Sequence, residues 1–298
     1  MEQGFGQGYR NQRYGWFVRW QTWSEQHATV ARFGAALTMA LVTGALAQIT
    51  LRTPLTPVPF TMQVFGIALT GGLLGRKWGT ISALLYVGVG VAGLPIFAGE
   101  VASFDGWEFL RFGVFTTGLS SWYLAGFVAQ AYIIGAIVES KAEHRNLKLL
   151  AFAPLAISGL LLFALLDVYY LSDYGALYGG SDFPNVWFAL LSLGILAVVA
   201  SFAWLASTRK ARRERIELFF GNVVGLLALY AIGAAGLYIV WRTTLGPIGL
   251  DATLAYAVLP FISVDLAKIL LAIGLLTLVR PTHEEVRRRS AEATSANV

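Results

Sequence analysis

The sequence predicts an all-α membrane protein: a polytopic bundle of transmembrane helices, about eight spans, with both termini in the cytoplasm. Three observations predict it. Of 298 residues, 56% are hydrophobic and 13% charged, where a soluble domain carries about 25% charge. The apolar residues gather into runs close to the roughly 20 residues that a helix needs to cross the hydrocarbon core. The basic residues fall in alternate connections between those runs, as the positive-inside rule requires.

The elements follow in order. Residues 1–28 read as a cytoplasmic tail, with MEQGFGQG expected to be disordered. The stretch GYRNQRYGWFVRWQTW interleaves Trp16, Phe17, Trp20 and Trp23 with arginines, which fits an interfacial anchor as well as it fits a tail with incidental aromatics. No cleavable signal is expected, because the first apolar run starts only after this tail. A transmembrane domain over 29–280 then holds eight runs: Ala31–Thr50, Phe60–Gly75, Trp78–Pro95, Ser120–Val138, Leu147–Tyr170, Pro184–Ser207, Ile216–Trp241 and Thr253–Val279. The second is short, and Pro260 is expected to break the last, leaving a full span from Phe261. Residues 281–298 form a basic cytoplasmic tail.

Charge fixes the orientation. One side collects Arg10, Arg13, Arg19, Arg32, Arg76, Lys77, Lys141, Arg145, Lys148, Arg209, Lys210, Arg212, Arg213, Arg215, Arg280 and Arg287 to Arg289. The other has Arg52, Arg111 and Arg242. The excess therefore faces the anionic inner leaflet, so the partners it implies are membrane lipids and not nucleic acid. Dropping one span would put a basic loop outside. The outer connections are the Pro-rich Pro54–Phe60 loop, the segment Phe97–Leu119 and the segment Leu171–Phe183, each suited to gate an extracellular site.

Composition excludes several chemistries. There is no cysteine, hence no thiolate nucleophile and no Cys-based metal site, and His27, His144 and His283 fall in loops or tails. No GxxxxGK[ST] phosphate loop occurs. We therefore expect no catalytic site, metal or cofactor. A polytopic enzyme such as an acyltransferase is the rival class, and it would need an acidic, His or Cys cluster that only Asp265 and Lys268 approach.

That pair is the strongest candidate site. In AYAVLPFISVDLAKILLAIGLL, Asp265 and Lys268 are the only charges between Asp251 and Arg280. A charge at mid-bilayer costs about 2.5–3.5 kcal/mol on insertion scales. At i, i+3 the two share a helix face, about 6 Å below a helix start at Phe261. The carboxylate accepts hydrogen bonds and the ammonium donates them, so together they suit a ligand with N–H donors and a carbonyl or carboxylate. The bland alternative is an ion pair that only cancels itself. Thr61 is placed to cap the helix after Pro59, to pack within the loop or to face a pocket, and Gln63 to face a pocket or a partner helix. Tyr86 offers an apolar wall with a polar tip and Phe97 an apolar wall. Asp167 and Asp173 read as solvated at the interface. Ala36, Ala40 and Gly44 make a small-residue stripe that packs inside the chain or against a partner.

Taken in order, these residues resemble the BioY family. Gln48 leads into PVPFTMQ, followed by LGRKWG (Leu74–Gly79), Tyr86, Gly90, then GLPIFAG (Gly93–Gly99), and finally LPFISVDLAK (Leu259–Lys268). The likeness covers roughly residues 31–138 and 221–280. It implies a six-helix bundle that binds biotin from outside, under a first outer loop that closes as a lid. It implies transport with a coupling membrane protein and a pair of ABC-type ATPases, as the substrate-capture component of an energy-coupling-factor transporter. Uptake by the chain alone as an oligomer, or uptake of another small vitamin, is the alternative. On this resemblance Asp265 accepts from a ureido N–H and Lys268 donates to a ligand oxygen. Thr61, Gln63, Tyr86, Phe97, Ser120 and Tyr123 are expected ligand contacts, Trp122 lines the apolar part, and Ala36 and Ala40 dock the coupling protein. Two departures stand out. The family's GPTGGY-like turn is replaced by GLSSWYLAGF (Gly118–Phe127), and two apolar runs over residues 147–207 occupy what is a loop in the family. The extra hairpin raises six spans to eight.

Overall fold

The first helix, α1 (Ala28–Ala47), turns one face inward: Ala36, Ala40, Thr43, Gly44 and Ala47 are buried at steps of three and four. Phe33, Leu37 and Leu41 stand exposed on the other side, the face a bilayer would cover. The computed structural model describes residues 28–53, 56–98, 118–139 and 212–279. The expected hairpin at 147–207, both tails, Asp167, Asp173 and most of the Phe97–Leu119 segment lie outside these residues. Ala36 and Ala40 are 0% and 2% exposed. In this conformation both methyl groups lie on the packed face of α1.

Helix α1 ends at Ala47, and the chain enters a two-stranded antiparallel ribbon, β1 (Thr50–Thr53) and β2 (Thr56–Thr61). Thr50 pairs with Thr61 and Leu51 with Phe60, with an irregularity before Thr53 pairs with Thr56. The prolines predicted a rigid loop in an all-α chain, and strands stand there instead. The physical reason is that each strand of a two-stranded ribbon is an edge, so a missing N–H on the outer side costs no ladder bond. Thr56, Val58 and Phe60 point inward in the two-residue period of a strand. The ribbon is fastened below. Thr56 Oγ1 donates to the Tyr256 carbonyl at 2.6 Å, and the Phe60 and Phe261 rings lie 4.5 Å apart.

Helix α2 (Gln63–Val91) contains two antiparallel arms joined at Gly75, whose φ of 73° is left-handed. Gln63 Nε2 donates to Tyr86 Oη at 2.5 Å. In a straight helix, residues this far apart would stand about 35 Å from each other, so the chain reverses between them. Only glycine adopts this φ without strain, and a Cβ at Gly75 would also strike the Glu139 carboxylate. That carboxylate instead accepts the Arg76 N–H at 2.8 Å. The second and third predicted spans are these two arms. Past Val91, Gly93 (φ 113°) turns the chain back so that Phe97 lies against Gly90 and meets Tyr86 edge-on at 5.6 Å.

Helices α3 (Trp122–Glu139) and α4 (Arg212–Thr244) pack antiparallel, with Gly126 against Leu229 and Gly225 against Gln130. A short α5 (Leu250–Ala257) leads through a 3-10 turn (Leu259–Phe261) into α6 (Ile262–Val279). The turn carries Pro260, the break expected there. Among the described residues, four helical stretches are long and apolar enough to cross a membrane: Ala28–Ala47, Trp122–Glu139, Arg215–Thr244 and Leu250–Thr277. The arms of α2 are shorter; the first, from Gln63, is buried almost throughout, and the second turns Tyr86, Ala83 and Ser82 inward and Leu84 outward. The core runs through Ile67, Ile134, Leu229, Leu237, Ile269, Ile273 and Leu276.

Candidate functional site

At the ribbon end of the bundle lies a cavity of about 520 Å³, within the roughly 300–1,000 Å³ usual for small-molecule sites. Asp265 and Lys268, 3% and 7% exposed, are among its lining residues. Asp265 stands in the first turn of α6, where free helical N–H groups favour a negative charge. Lys268 Nζ donates to Asp265 Oδ1 at 2.7 Å. Tyr230, from α4, donates to Asp265 Oδ2 at 2.9 Å. Each carboxylate oxygen thus has one donor and a lone pair to spare, and the ammonium has two further protons. A pair held this way presents an acceptor beside a donor, a match for a ligand edge of the opposite order.

The ribbon roofs the cavity with Thr56, Val58 and Thr61, and Arg52 of β1 stands at its mouth. Gln63, at the head of α2, forms one side. Thr61 Oγ1 donates to Gln63 Oε1 at 2.7 Å and accepts the Gln63 backbone N–H at 3.3 Å. Thr61 thus meets the backbone and side chain of Gln63 from just before the N-cap residue Met62, and it lines the cavity. Gln63 is oriented from behind by Tyr86, which is fully buried and not part of the lining. Ser120 and Tyr123 line the cavity where α3 begins, and Phe97 closes another side. The Tyr123 hydroxyl donates to the Ala257 carbonyl, tying α3 to α5. The turn that replaces the family's Pro-Gly-Gly is closed by Ser121 Oγ, which donates to the Gly118 carbonyl at 2.9 Å. Trp122 does not line the cavity. Its ring lies over Gly236 of α4, where any side chain would overlap it.

Sequence reasoning missed Tyr230, Arg52 and the apolar lining residues Phe127, Leu229 and Phe261. Tyr230 sits in LLALYAIG, an apolar run with one polar tip, which is a signal of a buried partner but not of which one. Arg52 was counted only for orientation. No other residue pairs with its guanidinium among the described residues.

A helical bundle that keeps an ion pair inside, beside a roofed cavity, defines a ligand-binding protein of the membrane. The BioY family model matches residues 23–196 and 190–285, and the chain belongs to the BioY family. The biotin transporter BioY of Thermotoga maritima is 34% identical over 163 residues, covering 55% of this chain and 88% of that protein. The probable biotin transporter BioY of Lysinibacillus sphaericus is 31% identical over 198 residues, covering 66% and 91%. A crystal structure of the S-component for biotin from an ECF-type ABC transporter aligns with a TM-score of 0.46 and 18% identity, over 84% of this chain and 90% of that one. The chain is thus a multi-pass protein of the cell membrane, a transporter component and not an enzyme.

Proposed function

We propose that this chain captures biotin from the extracellular side and mediates its uptake as the substrate-binding component of a transporter. The observation that carries the proposal is the buried Tyr230–Asp265–Lys268 cluster on a roofed cavity of about 520 Å³. A ureido group carries N–H and C=O side by side, so Asp265 accepts its N–H and Lys268 donates to its oxygen. Phe97, Phe127 and Phe261 take the thiolane ring and valeryl chain. Arg52 takes the carboxylate at the mouth, where no carboxylate among the described residues pairs with it. Thr61, Gln63, Ser120 and Tyr123 supply the remaining polar contacts, with Tyr86 holding Gln63 in place. The ribbon acts as the lid, its three prolines reducing the entropy lost on closure.

The same reading gives eight spans with both termini in the cytoplasm, of which residues 147–207 supply two at the periphery, with cytoplasmic tails at 1–28 and 281–298. Energy comes from outside the chain, from a coupling membrane protein and ABC-type ATPases. Docking of that protein at Ala36 and Ala40 requires α1 to shift from its present packing. The test is uptake of labelled biotin by a host lacking its own biotin transporter. Uptake with coupling subunits supplied, and none from a host with empty vector, is the expected result. Uptake of other vitamins but not biotin would overturn the substrate.

A further inference from the structure

Pro260 breaks the last span, and the break changes what the carbonyls before it can bond. In an α-helix each carbonyl accepts the N–H four residues on, so the helical donor for Tyr256 would be residue 260. Proline has no N–H to give. The next donor is diverted: the Phe261 N–H goes to the Val258 carbonyl at 3.0 Å, closing the 3-10 turn, and not to Ala257. Two consecutive carbonyls at the end of α5 are thereby turned over to other donors.

Both are met by hydroxyls that line the ligand cavity. Thr56 of β2 donates to the Tyr256 carbonyl at 2.6 Å. Tyr123 of α3 donates to the Ala257 carbonyl. The two residues are 6% and 8% exposed, and each is fixed from behind. Thr56 Oγ1 accepts the Val58 N–H at 3.1 Å, which leaves its proton for Tyr256. The Tyr123 ring lies over Gly233 of α4, where an added Cβ would overlap it. The receiving end is held too. The Tyr256 ring stacks on Trp241 of α4 at 5.5 Å and 7°, and Phe261 meets Phe60 of β2. The break thus gathers β2, α3 and α4 at one point, one turn before Asp265. Crossing the membrane does not require it, because Leu250–Thr277 is apolar enough to span as one piece. What the proline adds is an acceptor for the roof.

We propose that Pro260 is a positioning residue for the roof of the cavity: by withholding an N–H it keeps the Tyr256 carbonyl for the Thr56 hydroxyl, beside the Ala257 carbonyl that holds Tyr123. The test is hydrogen–deuterium exchange of the full chain in detergent, without biotin. It is read by mass spectrometry over β1, whose amides lie outside the local bond between Thr56 and Val58. Thr56→Val should raise exchange there about fivefold, and Thr56→Ser should leave it at the parent rate. Pro260→Ala supplies a helical donor that competes for the Tyr256 carbonyl. It should raise exchange as far as Thr56→Val, and the two changes together no further. Its melting temperature should stand at or above that of the parent, which separates a lost latch from a weakened fold. Exchange at the parent rate in Thr56→Val would overturn the proposal, a result that needs no change at Pro260. Exchange at the parent rate in Pro260→Ala, or a further rise in the double variant, would overturn the role of the proline. The inference rests on the ribbon being the lid of the biotin site, and biotin dissociation tests that part separately. Raised exchange with unchanged dissociation would overturn the lid and leave the proline its role.

Discussion

At the residue scale, the question is whether Asp265 and Lys268 serve the fold or the ligand. Two charges buried against each other recover little more than their desolvation, and replacing such a pair with apolar residues of similar volume is often neutral or stabilising by about 1–4 kcal/mol. Removing one partner leaves a bare buried charge and costs about 3–5 kcal/mol. The double variant Asp265→Leu with Lys268→Met should therefore melt at or above the parent temperature in detergent and yet bind no biotin. A double variant that melts well below the parent would make the pair structural. Tyr230 tests the same cluster from across the bundle. Its hydroxyl meets Asp265 Oδ2 at 2.9 Å, and hydrogen bonds to charged groups are worth about 1.5–3 kcal/mol. Tyr230→Phe should weaken biotin binding about tenfold or more, and unchanged affinity by equilibrium binding would remove Tyr230 from the site. The Asp–Lys pair was legible in the sequence because helical periodicity alone brings residues i and i+3 together. Tyr230 was not, because its meeting with Asp265 spans 35 residues and depends on how two helices face each other. Arg52 was visible as a charge, but its place at the mouth depends on a strand register that no local pattern announced.

At the element scale, the two devices that shape the site are the Gly75 reversal and the ribbon. Gly75→Ala forces a left-handed conformation costing about 1–2 kcal/mol and drives a methyl group into Glu139. We expect a lower melting temperature, partly restored by adding Glu139→Ala, as read by thermal unfolding in detergent. An unshifted Gly75→Ala would mean the reversal is not where the fold is held. The ribbon is latched through the Thr56 hydroxyl to Tyr256, one neutral hydrogen bond of about 1 kcal/mol. Thr56→Val should speed biotin dissociation about fivefold in stopped-flow measurements while leaving the melting temperature nearly unchanged. Dissociation at the parent rate would mean that the latch does not hold the roof. Both devices were half legible. The prolines signalled rigidity over the site, but their depletion from strands hid the pairing. LGRKWG signalled the end of one apolar run and the start of another, but only the φ of Gly75 shows that the reversal takes a single residue.

At the scale of the whole molecule, composition and charge placement carried the class. Low charge, apolar runs and one-sided arginines gave a multi-pass membrane protein before any residue was singled out. Element order then carried the family, because the motifs of the ribbon, of α2 and of α6 recur in sequence. The small residues of α1 show the limit of such patterns: spacing made a stripe evident but not which neighbour it meets, and in this conformation the neighbour is the chain itself. Topology is testable because the chain has no cysteine. A membrane-impermeant maleimide applied to intact cells should label Arg52→Cys and Ala176→Cys but not Lys77→Cys. Labelling of Lys77→Cys would invert the orientation, and failure at Ala176→Cys would remove the inserted pair of spans.

The central claim is that biotin is held by the face of α6 that carries Asp265 and Lys268. The measurement that tests it most directly is calorimetric titration of the purified, detergent-solubilised chain with biotin, alongside Asp265→Asn and Lys268→Ala. The account predicts saturable binding at one site per parent chain, weakened about a hundredfold or more in each variant. A folded parent that takes up no biotin, or variants that bind as tightly as the parent, would contradict it.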